Sequence, residues 1–269
     1  MRTDAAPIGV FDSGVGGLTV LRALRRALPA ADFIYLGDTA RLPYGTKSAA
    51  TVARYSLQCA AALRARGIGG LVVACNTASA SALEPLRREF ADMPVVGVIE
   101  PGAAAAVAAS RAASIAVIGT EGTIAGGAYQ DAIRRHGAQT RVVARACPLF
   151  VALAEEGWTE GPLTEAVAHR YLDGMFDGPQ APDTLVLGCT HFPLLAAAIA
   201  AVVPPAVRIV DSAATTAAAV QRLLGDGRAA RGAGRVRWLA TDGAARFAQI
   251  GSLFFGEALS AGDIEIIDL

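Results

Sequence analysis

The chain has 269 residues, 53% of them hydrophobic and 18% charged, and its 24 basic and 24 acidic side chains balance to a formal net charge of zero. That length suits roughly two domains of about 150 residues each with ample material for a core, and the charge balance leaves no electrostatic footprint for nucleic acid or acidic lipid. The N-terminus MRTDAAPIGVF has no apolar h-region, and the most apolar stretch, Phe192 to Val203, is cut by Pro204 and Pro205, so a soluble, cytoplasmic protein with no membrane partner is expected.

Taken in order, Ile8 to Phe11 reads as a buried strand. Asp12-Ser13-Gly14-Val15-Gly16-Gly17 is then a glycine-rich turn into a helix from Leu18 to Leu28. A strand, a loop and a helix N-terminus present backbone N–H groups to an anion. The glycines match neither GxGxxG nor a Walker loop, and an amino-acid carboxylate can use the same amides; Asp12 or Ser13 as a plain helix cap accounts for the same residues. A second strand, Phe33 to Leu36, delivers Gly37-Asp38-Thr39 and a loop through Pro43-Tyr44-Gly45, with a helix from about Ser48 to Arg66. That loop has the chemistry either to close over a ligand or simply to turn.

The run Leu71 to Ala74 ends in Cys75, Asn76 and a helix from Thr77 to Phe90. A cysteine just ahead of a helix feels the positive end of the dipole, which favours thiolate, although most free cysteines are small buried apolar residues. A strand at Val95 to Val98 leads into an alanine-rich helix opened by Glu100-Pro101, and Ser114 to Ile118 ends in Gly119-Thr120-Glu121-Gly122-Thr123 before a helix from Ile124 to His136. After a strand at Arg141 to Ala144 come Cys147, a helix carrying Glu155, and a helix from Leu163 to Met175 containing His169. Thr184 to Leu187 then repeats the earlier pattern, passing through Gly188 to Cys189-Thr190-His191, where the imidazole beside a thiol is the strongest single candidate for proton transfer. Helix, strand (Val207 to Val210), helix, a basic loop containing Arg228 and Arg231, strand (Val236 to Ala240), helix and an apolar tail complete the chain.

The four cysteines, Cys59, Cys75, Cys147 and Cys189, form no close-set framework, so they are read as reduced thiols. There is no CxxC, and Cys189-Thr-His191 is too tight for the usual zinc spacings, so no metal and no cofactor is called for. The offset between Cys75 and Cys189 is close to a domain length and suggests two α/β halves related by duplication. The expected division is 1–97 plus 211–269, carrying Asp12 and Cys75, against 98–210, carrying Cys189 and His191.

Two facing thiols suit three chemistries. A redox pair lacks the usual CxxC, and a cysteine hydrolase built on Cys189 and His191 leaves Cys75 unexplained. Opposed acid/bases on one carbon use both: one thiolate removes an α-proton while a thiol on the far face supplies another.

The segments FDSGVGGLTVLRAL (11–24), YLGDTARLPYGTKS (35–48), VVACNTASA (72–80), VIGTEGTI (117–124) and LGCTHFPLL (187–195), with VDSA (210–213) and FFGEAL (254–259), resemble the bacterial glutamate racemases of the aspartate/glutamate racemase superfamily. The resemblance implies cofactor-independent interconversion of L- and D-glutamate, supplying D-glutamate for peptidoglycan. It implies two pseudo-symmetric, doubly wound α/β domains with mainly parallel sheets and the active site in the cleft between them. Residue by residue, it makes Cys75 and Cys189 the two acid/bases, with Cys75 on the D-glutamate side; Asp12 assists Cys75 near the substrate ammonium, and His191 assists Cys189. Ser13, Tyr44, Gly45, Asn76, Thr77, Thr120, Thr123 and Thr190 fall on substrate-holding positions, and Glu155 falls where the family has an acid close to the histidine, although Ala152 and Ala154 depart from the usual Pro-Leu-Val-Glu run. With seven residues ahead of Ile8, control by a cell-wall precursor through an N-terminal extension is not expected. Homodimers are common in the family, and no stripe of this sequence selects a dimer geometry. Another racemase or decarboxylase of the superfamily, acting on aspartate or a hydantoin, is the alternative.

Overall fold

The computed structural model describes residues 6–224 and 232–269; Arg228 and Arg231 of the basic loop lie outside the described residues. Among the described residues ten strands form two sheets, and every pairing is parallel. The first sheet contains β1 (Ile8–Asp12), β2 (Phe33–Gly37), β3 (Gly70–Val73) and β4 (Val95–Gly97). The second contains β5 (Ser114–Gly119), β6 (Arg141–Ala146), β7 (Thr184–Gly188) and β8 (Arg208–Asp211). The chain then returns to the first sheet with β9 (Val236–Ala240) and β10 (Ile264–Ile266), where β9 pairs with β2 from Phe33↔Val236 to Gly37↔Ala240.

The orders are β10-β9-β2-β1-β3-β4 and β6-β5-β7-β8. Stripped of β9 and β10, the first sheet has the order of the second, so β1 corresponds to β5 and β3 to β7. In each, the chain steps to one side of its first strand and then crosses to the other. Open parallel sheets bind ligands at that reversal, outside the carboxyl ends of the strands. The ends of β1 and β3 carry Asp12 and Cys75, and the ends of β5 and β7 carry Thr120 and Cys189.

The central strands are short Val/Ile/Leu-rich runs buried on both faces, as parallel strands covered by helices must be. Alternation still sorts their side chains: in β1, Val10 joins an apolar cluster that continues to Val117 and Leu187 of the second sheet, whereas Phe11 faces a separate cluster with Leu36, Leu71 and Cys59. The two halves therefore share a core on one side of the first sheet. The helix Leu18–Ala27 buries Leu18, Leu21 and Leu24 at helical spacing and packs along the helix Ser212–Leu224, joining the start of the chain to its late segment. No helix among the described residues is long and apolar enough to cross a membrane.

Two expected helices differ in the structure. The one expected from Ile124 to His136 is split into Glu121–Ala125 and Ala128–His136, because Gly127 sits in the left-handed region at φ 68°, where a helix cannot continue. After His191 the chain forms a 3-10 turn, Phe192–Leu195, before the helix Ala196–Val202, so His191 enters a tight turn and not an α-helix.

Candidate active site

One cavity of about 300 Å³ opens where the carboxyl ends of the two sheets meet, and both Cys75 and Cys189 line it. Ser13, Tyr44, Gly45, Asn76 and Thr77 line it from the first sheet's loops, and Thr120, Glu155, Thr190 and His191 from the second's. Asp12 and Thr123 stand just behind this wall: Asp12 is 1% exposed and Thr123 is fully buried.

Cys75 is the N-cap of the helix Asn76–Glu89, and its sulfur accepts from the Ala78 N–H at 3.4 Å. Its thiol reaches the Ser13 hydroxyl at 3.7 Å. Placement at a helix start leads one to expect a lowered pKa, yet the opposite holds. Burial, and after it the Asp12 carboxylate, pushes the thiol up to about 12, with the Ala78 amide opposing. Asp12 is itself raised, by burial first, against the His191 charge and the amides of Gly17, Gly14 and Ser13. Its Oδ2 accepts from Gly14 N–H at 3.0 Å, and its Oδ1 has no partner.

The surroundings of Cys189 are different in kind. Its sulfur lies 3.8 Å from His191 Nδ1; Nε2 of the same ring lies 3.2 Å from Glu155 Oε1; and Glu155 Oε2 lies 3.5 Å from the Arg246 guanidinium. Burial works to lower the His191 pKa, but the bonds to Cys189 and Glu155 and the nearby negative charges more than offset it and raise it to about 10. The bond from His191 holds the Glu155 carboxyl below its usual range, with burial opposing and Arg246 reinforcing. A sulfur, an imidazole and a carboxylate in series would by themselves suit a cysteine hydrolase. The second thiol in the same cavity has no place in that scheme.

The close approach of the halves is built in at Gly16. A Cβ there would stand 2.5 Å from His191 Nδ1 and nearer still to Thr190 Oγ1. The neighbouring Thr19 hydroxyl donates to the Thr190 carbonyl at 3.1 Å, tying the first helix to the Cys189 loop. Across the cavity, the hydroxyls of Thr77, Thr120 and Thr123 form a triangle with sides of 2.9, 3.2 and 2.9 Å.

Tyr44 lines the cavity, but its phenol is not free to hold a ligand: it donates to Asp38 and sits 3.8 Å from Cys59. Asp38 also takes the Arg41 guanidinium at 2.8 Å and the Thr241 hydroxyl at 3.0 Å, so this cluster fixes the loop. The Tyr44-Gly45-Thr46 turn therefore offers backbone N–H groups, which the first turn of a helix leaves unpaired. Asn76 accepts from the Tyr129 phenol at 2.8 Å, and its Nδ2 has no partner. Tyr129, Thr19, Gly16 and Arg246 were not singled out from sequence; only Gly16 and Thr19 lie in a segment with a recognisable pattern.

A family model describing Asp/Glu/Hydantoin racemase matches residues 8–220 and sets the class. The glutamate racemase of Geobacter metallireducens is 51% identical over 265 residues, covering 97% of this chain and 96% of that protein. Among solved structures, the Thermus thermophilus glutamate racemase in complex with beta-chloro-D-alanine superposes with a TM-score of 0.88 at 43% identity, covering 99% of both chains. The Francisella tularensis glutamate racemase in complex with D-glutamate does so at 0.89 and 33%, covering 98% of both. An aspartate racemase from Picrophilus torridus, at 16% identity and a TM-score of 0.58, shares the fold alone. Within the Asp/Glu/Hydantoin racemase family the chain belongs to the glutamate racemases, isomerases that interconvert L- and D-glutamate.

Proposed function

We propose that the protein racemises glutamate with Cys75 and Cys189 as the two acid/bases, in a cleft between domains 1–97 plus 211–269 and 98–210. From L-glutamate, the Cys189 thiolate takes the α-proton. The electron pair of the broken C–H bond spreads into the α-carboxylate, and the Cys75 thiol delivers its proton to the opposite face. The product is D-glutamate, with Cys189 now a thiol and Cys75 a thiolate; the reverse reaction starts from that state, with Cys75 acting on D-glutamate. The imidazole of His191 stands beside Cys189, while burial and Asp12 keep Cys75 protonated, ready to supply the proton when the reaction starts from L-glutamate.

The substrate's charges have counterparts in the wall and just behind it. The unpartnered Asp12 Oδ1, behind the wall, is an acceptor for the ammonium, and Asn76 Nδ2, the amides at Tyr44 and Gly45 and the hydroxyls of Ser13, Thr77, Thr120 and Thr190 are donors for the two carboxylates, with Thr123 buried behind Thr77 and Thr120. Such donors stabilise the charge that develops when a weakly acidic C–H ionises. Glu155 holds the His191 ring. The observation that carries this reading is the single cavity lined by two thiols, one beside His191 and the other beside Ser13.

The role we assign is supply of D-glutamate for peptidoglycan in the cytoplasm, supported by the glutamate racemases it matches across nearly its whole length. The test is to follow the circular dichroism of D-glutamate without added cofactor, with D-aspartate and a hydantoin in parallel. Decay of the glutamate signal is expected; decay of either alternative with glutamate unchanged would overturn the substrate assignment.

A further inference from the structure

Tyr129 is fully buried at the start of the helix Ala128–His136, which follows β5 of the second sheet. Its phenol donates at 2.8 Å to Oδ1 of Asn76, a residue of the first half that immediately follows Cys75. Asn76 is 3% exposed and lines the cavity, and its Nδ2 lacks a protein partner. Room for the ring is made by two missing side chains. A Cβ at Gly102 would lie 3.3 Å from the Tyr129 hydroxyl, and one at Gly188 would lie 3.0 Å from the ring's Cε2. Gly188 directly precedes Cys189, so one ring is wedged between the backbone of one thiol's loop and the side chain that follows the other thiol.

A primary amide is nearly symmetric in shape but opposite in polarity at its two ends. Turned one way, Asn76 offers a donor to a carboxylate; flipped, it offers a carbonyl oxygen that repels one. Here the phenol donates to Oδ1, which holds the carbonyl toward the ring and leaves Nδ2 turned away from it. Burial, and after it the charge of Cys189, pushes the Tyr129 phenol up, so it stays protonated and able to donate.

We propose that Tyr129 is a positioning residue for substrate binding: it locks the Asn76 amide so that nitrogen, and not oxygen, is offered to a substrate carboxylate. This rests on the reading above that Asn76 contacts substrate. That carboxylate is the substrate's side-chain one, which keeps the same single charge from ground to transition state, so the loss of this donor is a loss of uniform binding and shows in KM.

The test is a double-mutant cycle of Tyr129→Phe and Asn76→Ala, with kcat and KM measured from both enantiomers and thermal melting measured alongside. Tyr129→Phe is expected to raise KM about tenfold with kcat within about twofold, the size of one buried hydrogen bond, and to add nothing in the Asn76→Ala background. Gly102→Ala keeps the phenol but crowds it, and is expected to raise KM by a smaller factor while leaving the melting temperature unchanged or higher. If Tyr129→Phe has no effect, or costs the same factor with and without Asn76, the ring merely fills space and the proposal fails. If Asn76→Ala alone leaves KM and kcat unchanged, the substrate contact itself is wrong, a result distinct from the first.

Discussion

Cys75 follows β3 and begins an α-helix; Cys189 follows β7 and enters a 3-10 turn. The strand orders of the two sheets make these places equivalent, but the equipment around each sulfur is not. Cys75 has a backbone amide, the Ser13 hydroxyl and an acid, Asp12, that is buried with one oxygen unpaired. Cys189 has a titratable base and, behind it, a chain of charge through Glu155 to the exposed Arg246. Duplicated topology therefore supplies two thiols at matching points, and the side chains added to each half surround the two sulfurs differently.

Removing either sulfur is the most severe way to break the comparison. Cys75→Ala and Cys189→Ala are each expected to lower kcat by about 10³-fold or more, at the strong end of general acid/base catalysis, measured by chiral chromatography of the product. Loss in both variants, and not in one alone, is what a shared reaction requires.

Next in size is Gly16→Ala, which forces a methyl group into His191 and Thr190 and so separates the halves without altering either thiol. A displacement of about 1 Å at such a site costs about 10²-fold, and kcat/KM is the readout. The fold should persist, since Gly16 precedes the helix Leu18–Ala27 and lies outside the strands.

The asymmetry itself is sharpened by comparing His191→Gln with Asp12→Asn, each expected to cost roughly tenfold or more. Because the enantiomers have equal free energy, kcat/KM must fall equally in both directions, so the contrast has to be sought in isotope effects. In His191→Gln, proton transfer at Cys189 becomes more limiting, and the α-deuterium effect should rise for L-glutamate and fall for D-glutamate. Asp12→Asn should give the reverse.

The smallest effect is expected at Glu155. The His191 pKa is raised from 6.5 to about 10, so its stabilising contribution is complete below 6.5 and is lost as pH climbs toward about 10. Glu155 is depressed from 4.5, so its contribution is present above 4.5 and is lost as pH falls through the lowered value. Glu155→Gln removes one support of the imidazolium and should shift the alkaline loss of both melting temperature and activity to lower pH, with a few-fold change in rate at neutral pH.

Much of this design could be read from the chain before its structure. The buried runs Ile8 to Phe11, Leu71 to Ala74 and Thr184 to Leu187 are short, apolar and followed by capping residues, and each is a central strand. Cys75, Asn76, Cys189 and His191 were legible because they repeat a local pattern at the ends of such strands. What stayed hidden depends on contacts between distant segments. Tyr129 meets Asn76 across 53 positions, and Arg246 reaches Glu155 from a helix with no distinguishing motif. The protonation of Cys75 also escaped local reasoning, since a helix dipole argues for thiolate, whereas burial and Asp12, brought beside it by the pairing of β1 with β3, argue for thiol more strongly. The split at Gly127 was missed because glycine within a helical pattern is often tolerated.

The central claim is that two groups on opposite faces of the α-carbon exchange its proton. Its most direct test is racemisation of unlabelled L-glutamate in D2O, stopped at low conversion, with the α-deuterium content of recovered L- and newly formed D-glutamate measured by mass spectrometry after chiral separation. The D-product is expected to carry deuterium while the remaining L-substrate carries almost none. Deuterium appearing equally in both enantiomers would mean that one base serves both faces, and would contradict the account.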